Sequence, residues 1–74
     1  MKNYKMSIVV EKDKDGYYAY CPELQGCYSQ GDTYEEAVKN IRDAIKLHVA
    51  DRFAAREKLP ATAFISLSSV EVAV

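Results

Sequence analysis

The 74-residue sequence contains two thiols and one imidazole, side chains that often act as nucleophiles, bases or metal ligands: Cys21, Cys27 and His48. A structural zinc site needs about four such ligands at short spacing, and His48 lies far from both cysteines. A disulfide across loop 22–26 is conceivable, but a reducing compartment favours free thiols that pack as small apolar side chains. We therefore predict reduced packing cysteines and no metal site.

Catalysis has equally little support in this sequence. His48 falls on the apolar stripe of a predicted helix with no nucleophile placed beside it, which favours a packing role over a general base. Asp13 and Asp15 lie in a predicted turn and are explained by turn chemistry. The remaining strand and loop acids are interpreted as solvated or edge-guarding charges, namely Glu11, Glu23 and Glu71. We predict no catalytic residue, no cofactor and no enzymatic activity.

Tyrosine is the more informative residue type, with six copies in the chain. Tyr17 and Tyr18 are neighbours in a predicted strand, so they must point to opposite faces of a sheet. One helix covers one face only, so a row of tyrosines meets the uncovered face, as in many protein interfaces; ordinary half-exposed strand residues are the alternative. The predicted partner-binding residues are Tyr17, Tyr18, Tyr20, Tyr28 and, on the outer side of the helix, Leu47.

Composition limits the classes of function. The chain is 49% hydrophobic and 28% charged, as in an ordered globular domain, and we predict one domain over residues 1–74. A net charge of −1 without any basic run argues against direct binding to nucleic acid. No apolar run reaches the roughly 20 residues that span a bilayer, and no signal-peptide pattern is visible. The predicted compartment is the cytoplasm.

Periodicity predicts the elements that position these residues. Alternating apolar and polar residues indicate strands, and apolar residues at 3.6-residue spacing indicate a helix. The predicted order is strand 5–12, strand 17–21, strand 27–30, a helix from 33 to about 57 and a strand-like segment 61–74. This β-β-β-α-β order predicts the α+β class, a small sheet with one helix packed on one face.

Turn and cap residues mark the boundaries of these elements. Asp-Gly at positions 15 and 16 predicts a tight hairpin, because glycine accepts the positive φ that such a turn requires. Pro22 cannot donate a ladder hydrogen bond, so it ends the second strand. Thr33 and Glu36 have the spacing of a capping box. The predicted turn and cap residues are Asp15, Gly16, Pro22, Gly26, Gly31, Thr33 and Glu36.

The C-terminal apolar pattern changes phase at Ser68 and Ser69. Ile65 and Leu67 share one parity, and a one-residue shift exchanges the faces of a strand, so the segment has a bulge or contains two strand pieces. The residues on the other parity need a second surface, and domains this small often rely on association. We predict a dimer or larger oligomer whose interface includes Val70, Val72 and Val74.

Residues 15–41 follow the pattern D-G-Y-Y-x-Y-C-P-E-L-x-G-C-x-S-x-G-D-T-x-E-E-A-x-x-N-I, which resembles the HicB family of antitoxins. The resemblance implies a partial ribonuclease-H-like fold in which the last strand joins the sheet beside the first and parallel to it. Ribonuclease-H-like enzymes place an essential aspartate in the first strand. The matching residues 6–10 contain no carboxylate, which again argues against metal-dependent hydrolysis.

The resemblance also implies a function. HicB proteins hold the HicA toxin, a small basic RNA-cleaving protein, in an inactive complex, so the expected partner is a HicA-type toxin. Many HicB proteins add a DNA-binding domain, for which 74 residues leave no room, so we expect none here. The alternative is a stand-alone HicB-like module that oligomerises and binds other proteins without a toxin.

Overall fold

A computed structural model describes residues 4–59 and 65–74 of the chain. Three strands, β1 (Val9–Asp13), β2 (Gly16–Tyr20) and β3 (Tyr28–Gly31), form an antiparallel sheet in the order β1-β2-β3. One helix, α1 (Tyr34–Ala54), packs on one face of the sheet. The predicted α+β class is confirmed.

A two-residue turn of Lys14 and Asp15 joins β1 to β2. The Asp13 carboxylate accepts a hydrogen bond from the Asp15 N–H at 2.7 Å, which fixes the turn. Gly16 has φ +142° and opens β2, where an added Cβ would stand 3.0 Å from the Gly31 carbonyl oxygen. The Asp-Gly signal therefore predicted the hairpin correctly, with the glycine at the first position after the turn.

Loop 21–27 is closed by its own backbone hydrogen bonds. The Cys21 N–H donates to the Cys27 carbonyl at 3.0 Å, and the Leu24 N–H donates back to the Cys21 carbonyl at 3.1 Å. Gly26 has φ +78°, a left-handed conformation that favours glycine. These bonds turn the Leu24 side chain inward, where it is only 1% exposed.

The start of α1 is capped as the sequence predicted. Thr33 Oγ1 accepts from the Glu36 N–H at 3.1 Å, while the Glu36 carboxylate accepts from the Asp32 N–H at 3.2 Å, one residue earlier than in a standard capping box. Gly31 lies so close to the first turn that an added Cβ would stand 2.6 Å from the Ala37 nitrogen. Only glycine allows this approach of β3 to the helix.

The end of α1 is a Schellman motif, three residues short of the predicted end near residue 57. The Glu57 N–H donates to the Arg52 carbonyl at 2.8 Å, and the Arg56 N–H donates to the Phe53 carbonyl at 3.0 Å. Arg56 occupies the left-handed position with φ 58°. Glycine usually fills that position, so arginine is under backbone strain there.

The core comes from one stretch of chain. Every fully buried hydrophobic residue in the described ranges lies between positions 19 and 41: Ala19, Cys21, Leu24, Cys27, Ala37 and Ile41. The helix packs more closely on β3 and β2 than on β1. Two side-chain bonds tie it to β3, from Ser29 Oγ to the Ala37 carbonyl at 3.3 Å and from Asn40 Nδ2 to the Gln30 carbonyl at 2.8 Å.

The first strand is shorter than the predicted range 5–12. It begins at Val9 because its partner strand ends at Tyr20, which lies opposite Val9 in the register. The preceding residues are anchored differently: the Ser7 N–H donates to the Glu23 carboxylate at 3.1 Å. Glu23, which was predicted to be a solvated or edge-guarding charge, is instead a half-buried hydrogen-bond acceptor for the backbone that precedes β1.

The predicted last strand beside β1 is not formed by the residues that the structure describes, and positions 61–64 of the predicted segment 61–74 lie outside them. Residues 65–74 carry no strand, and β1 pairs with β2 alone in the part of the chain that the structure describes. Leu67 is 83% exposed and Val72 is 70% exposed. The alternating pattern predicts that a segment can form a strand, but a ladder also needs a partner edge, and the pattern does not identify which edge supplies it.

Candidate interaction surface

The sheet has one face without a helix, which we call the uncovered face. Since Ala19 of β2 is buried against the helix, its neighbours Tyr18 and Tyr20 point the other way. Tyr20 lies opposite both Val9 of β1 and Tyr28 of β3, so the three side chains form a row across the sheet. Exposure rises along β2 and β3, from 38% for Tyr18 to 75% for Tyr28.

Two of the predicted partner-binding residues lie elsewhere. Tyr17 is on the helix side, where its ring meets the Tyr34 ring edge-on with centroids 6.4 Å apart, and Lys12 Nζ lies 5.7 Å from its centroid. Leu47 is 68% exposed on α1, which packs on the opposite face of the sheet from the tyrosine row. The structure therefore groups Tyr18, Tyr20 and Tyr28 on the uncovered face and places Tyr17 and Leu47 on the helix side of the sheet.

An acidic cleft of about 370 Å³ adjoins one end of the uncovered face. Tyr17, Tyr18 and Gln30 line it from the sheet, so Tyr17 on the helix side and Tyr18 on the uncovered face both border the cleft. Three carboxylates also line it, from Asp15, Asp32 and Glu36. The cleft thus combines negative charge with an aromatic edge, which suits a lysine or arginine side chain from a basic protein.

The two cysteines are free and buried at the ends of loop 21–27, as predicted. Burial raises the pKa of both thiols above the ordinary value of 9.0, so they are protonated and poorly nucleophilic at neutral pH. Cys21 Sγ donates a long hydrogen bond of 3.5 Å to Glu23. His48 is half-buried on α1. Residues 4–59 and 65–74 contain no group of three or more histidine, cysteine or acidic side chains that could hold a metal ion.

A groove lies between residues 4–8 and the helix, on the β1 side of the molecule. Its volume is about 370 Å³. The lining is apolar with a basic rim and consists of Tyr4, Met6, Ile8, Val38, Ile41, Ile45, Arg42 and Lys46. Tyr4 also meets Phe53, with ring centroids 5.8 Å apart. Sequence reasoning missed this groove because residues 4–8 were assigned to a paired strand.

The valines predicted to form an oligomer interface are open to solvent. Val70 and Val72 are 85% and 70% exposed, and Val74 is fully exposed. None of the three belongs to the hydrophobic core formed by the residues that the structure describes. Within the same ranges, no helix is long and apolar enough to cross a membrane.

Known proteins place this chain among short relatives from distant organisms. It is 47% identical to a UPF0150 protein from Synechocystis over 77% of this chain and 73% of that protein. It is 52% identical to a UPF0150 protein from Helicobacter pylori over 62% of this chain and 64% of that protein. A UPF0150 protein from Thermoplasma acidophilum is 40% identical over 76% of this chain and 83% of its own length. No solved structure matches the chain significantly.

The family match covers almost every element described above. The sequence model of the family described as HicB-like antitoxin of bacterial toxin–antitoxin systems matches residues 5–72. The match runs from the groove-lining segment through the sheet and helix into the C-terminal segment. The resemblance seen in residues 15–41 is thereby confirmed and extended. The chain belongs to the HicB-like antitoxin family.

Proposed function

We propose that this protein neutralises a small basic HicA-type RNA-cleaving toxin by binding it directly in the cytoplasm. The observation that carries the proposal is the antitoxin family match over residues 5–72. Blocking a toxin requires a complementary surface and no chemistry of the protein's own. We accordingly propose that the protein is not an enzyme, uses no cofactor and does not bind nucleic acid itself.

The uncovered face is the toxin-binding surface in this proposal. The row of Val9, Tyr20 and Tyr28 offers flat aromatic area, and buried tyrosines are frequent anchors of protein interfaces. The acidic cleft beside Tyr18 would receive a basic side chain of the toxin. Opposite charges on the two proteins would speed their encounter more than they tighten the final complex.

The test asks whether the neighbouring reading frame encodes a small basic HicA-type protein, and co-expresses that protein with this chain for pull-down and a growth assay. We expect the parent chain to retain the toxin and restore growth, and Tyr28→Ala and Tyr20→Ala to weaken both. Tyr34→Ala is the matched control, because Tyr34 is 52% exposed but lies off the uncovered face. Full retention by the Tyr20 and Tyr28 variants together with loss in the control would contradict the proposed surface.

A second candidate function is a stand-alone HicB-like oligomeric module without a toxin. The exposed apolar residues of the C-terminal segment favour it, since Val70, Val72 and Val74 are largely open to solvent in a single copy. A strand supplied beside β1 would also complete the β-β-β-α-β order of the ribonuclease-H-like fold. Oligomers by light scattering, with no toxin retained in the pull-down, would favour this alternative.

A further inference from the structure

We propose that the partner docks an amphipathic α-helix on the uncovered face, with apolar side chains at one end of the contact and basic side chains at the other. This inference rests on the proposed function and deepens it, because it names the kind of element and the charge pattern that the partner brings. Three features of the molecule carry it: the order of side chains along the strands, the width of the face and the hydrogen bonds at the sheet edge.

The uncovered face changes from apolar to acidic along the strands. The row nearest loop 21–27 is largely apolar, and we call it the apolar row: Val9, Tyr20 and Tyr28. In the next row toward the hairpin, Tyr18 lies opposite both Glu11 and Gln30, which are exposed. The acidic cleft adjoins this second row, since Tyr18 and Gln30 line it as well. A complementary partner therefore places apolar side chains at one end of the face and cations at the other.

The dimensions of the face suit one helix. Neighbouring strands lie about 4.8 Å apart, so three strands give a face about 10 Å wide, close to the diameter of an α-helix with its side chains. α1 already packs in this way on the opposite face of the same sheet. The two rows are two residues of strand apart, or about 6.8 Å, and a helix rises about 5.4 Å per turn.

These spacings predict the sequence pattern of the docked helix. Side chains three or four positions apart on a helix are neighbours on one face, so they would meet successive rows of the sheet. When an apolar side chain of the partner lies over Tyr20, a lysine or arginine one turn away lies near Glu11. A second cation, a further turn along, reaches the acidic cleft.

Strand addition at a sheet edge is the competing mode of binding, and the contacts of β3 argue against it. The Gln30 carbonyl already accepts a hydrogen bond from Asn40 Nδ2 at 2.8 Å, so an added strand would have to displace that bond in a strand of only 4 residues. A strand added beside β1 would lie across the sheet from Tyr28 and leave the most exposed tyrosine uncovered. Only an element that lies over the face covers Tyr20 and Tyr28 together.

The first experiment uses the complex with the small basic protein encoded by the neighbouring reading frame, once pull-down has shown that it is retained. The photoreactive residue p-benzoylphenylalanine replaces Tyr28 in one variant and Tyr18 in another, and mass spectrometry locates the cross-linked positions on the partner. We expect both variants to cross-link to one partner segment, at positions three, four or seven apart. Cross-links two positions apart, or on segments distant in the partner's sequence, would overturn the helical mode.

The second experiment tests the charge pattern with Glu11→Lys. Glu57→Lys is the matched control, because Glu57 is exposed beyond the end of α1. We expect Glu11→Lys to raise the dissociation constant about tenfold or more and the control to leave it unchanged. Exchanging the partner's cross-linked lysine or arginine for glutamate should restore binding to the Glu11→Lys variant. Equal effects of the two variants, or no restoration, would overturn the charge pattern.

Two readouts keep this inference separate from the proposed function. Circular dichroism and urea unfolding verify that each variant is folded, and Glu11→Gln replaces Glu11→Lys if it is not. A partner that is retained without helical cross-link spacing overturns the docked helix and leaves the antitoxin proposal intact. A pull-down that retains no partner overturns both.

Discussion

Leu24 is the side chain that loop 21–27 buries in the hydrophobic core. It is among the largest fully buried side chains in the described part of the chain, although turn residues surround it in sequence. We expect Leu24→Ala to lower the free energy of unfolding by about 2–5 kcal/mol, because it leaves a cavity in a core too small to collapse around it. Urea titration measures the loss. Exposed Gln25→Ala is the control, and an equal effect in both variants would contradict the packing role.

Thr33 supplies the helix cap at the junction of β3 and α1. We expect Thr33→Ala to lower stability by roughly 1 kcal/mol, because the Glu36 N–H loses its acceptor. Thr33→Ser keeps the hydroxyl and should retain most of the stability. An unchanged urea midpoint for the alanine variant would mean that the first turn does not depend on this cap.

The buried thiols make stability depend on pH in the alkaline range. Burial raises the pKa of Cys21 and Cys27 in the folded state above 9.0, the ordinary value that they regain on unfolding. Their contribution is therefore fully present below pH 9 and is lost as pH rises through the folded pKa. A Cys21→Ala, Cys27→Ala variant should show a flatter decline in urea midpoint above pH 9. If the urea midpoint of the parent chain and of the variant fell identically with pH, the thiols would not be the cause of the decline.

Residue roles were predictable from sequence when their cause was local. Thr33 and Glu36 lie three positions apart, so four consecutive residues contain the whole sequence signal for the cap. Leu24 and Glu23 could not be assigned in the same way, because the first is buried against residues of β2 and α1 outside its own loop and the second binds the Ser7 N–H sixteen positions away. A single apolar residue within a turn sequence was the available signal for Leu24.

The end of α1 carries strain that a substitution can relieve. A non-glycine residue in the left-handed region costs about 1–2 kcal/mol, and glycine loses roughly 0.5–1 kcal/mol of that gain through its freer unfolded chain. We expect Arg56→Gly to raise the free energy of unfolding by up to about 1 kcal/mol. Arg56→Ala removes the charge without relieving φ and should not stabilise. Equal stabilisation by both would assign the effect to charge.

At the scale of elements, periodicity predicted β2, β3 and α1 well, because each buries one face against a neighbour in the same copy. Periodicity predicted that β1 begins too early, because a strand is paired only as far as its partner extends and β2 ends at Tyr20. Residues 65–74 have the alternating pattern of a strand but pair with no other strand in the part of the chain that the structure describes. The pattern cannot show whether a strand is available for pairing. The alternation of the strands predicted that a tyrosine row meets the uncovered face but not whether it contains Tyr17 or Tyr18, and the use of that row in binding stays a prediction.

At the scale of the whole molecule, we expect the purified protein to cleave no RNA with Mg²⁺ or Mn²⁺. The strand that would carry a metal-binding carboxylate has only Glu11 and Asp13 at its exposed end, and Asp13 holds the turn. The measurement is an RNA cleavage assay across the gel-filtration peak, with metal chelated as the control. Activity that co-elutes with the protein and disappears in Glu11→Gln would contradict the prediction.

The core described above has a consequence for how fast the protein folds. Its buried side chains all come from positions 19 to 41, so the contacts that close it join residues near in sequence, and such folds form quickly. Because residues 65–74 contribute none of these side chains, the core can close before the C-terminal segment takes up any conformation, and the folding rate should not depend on that segment.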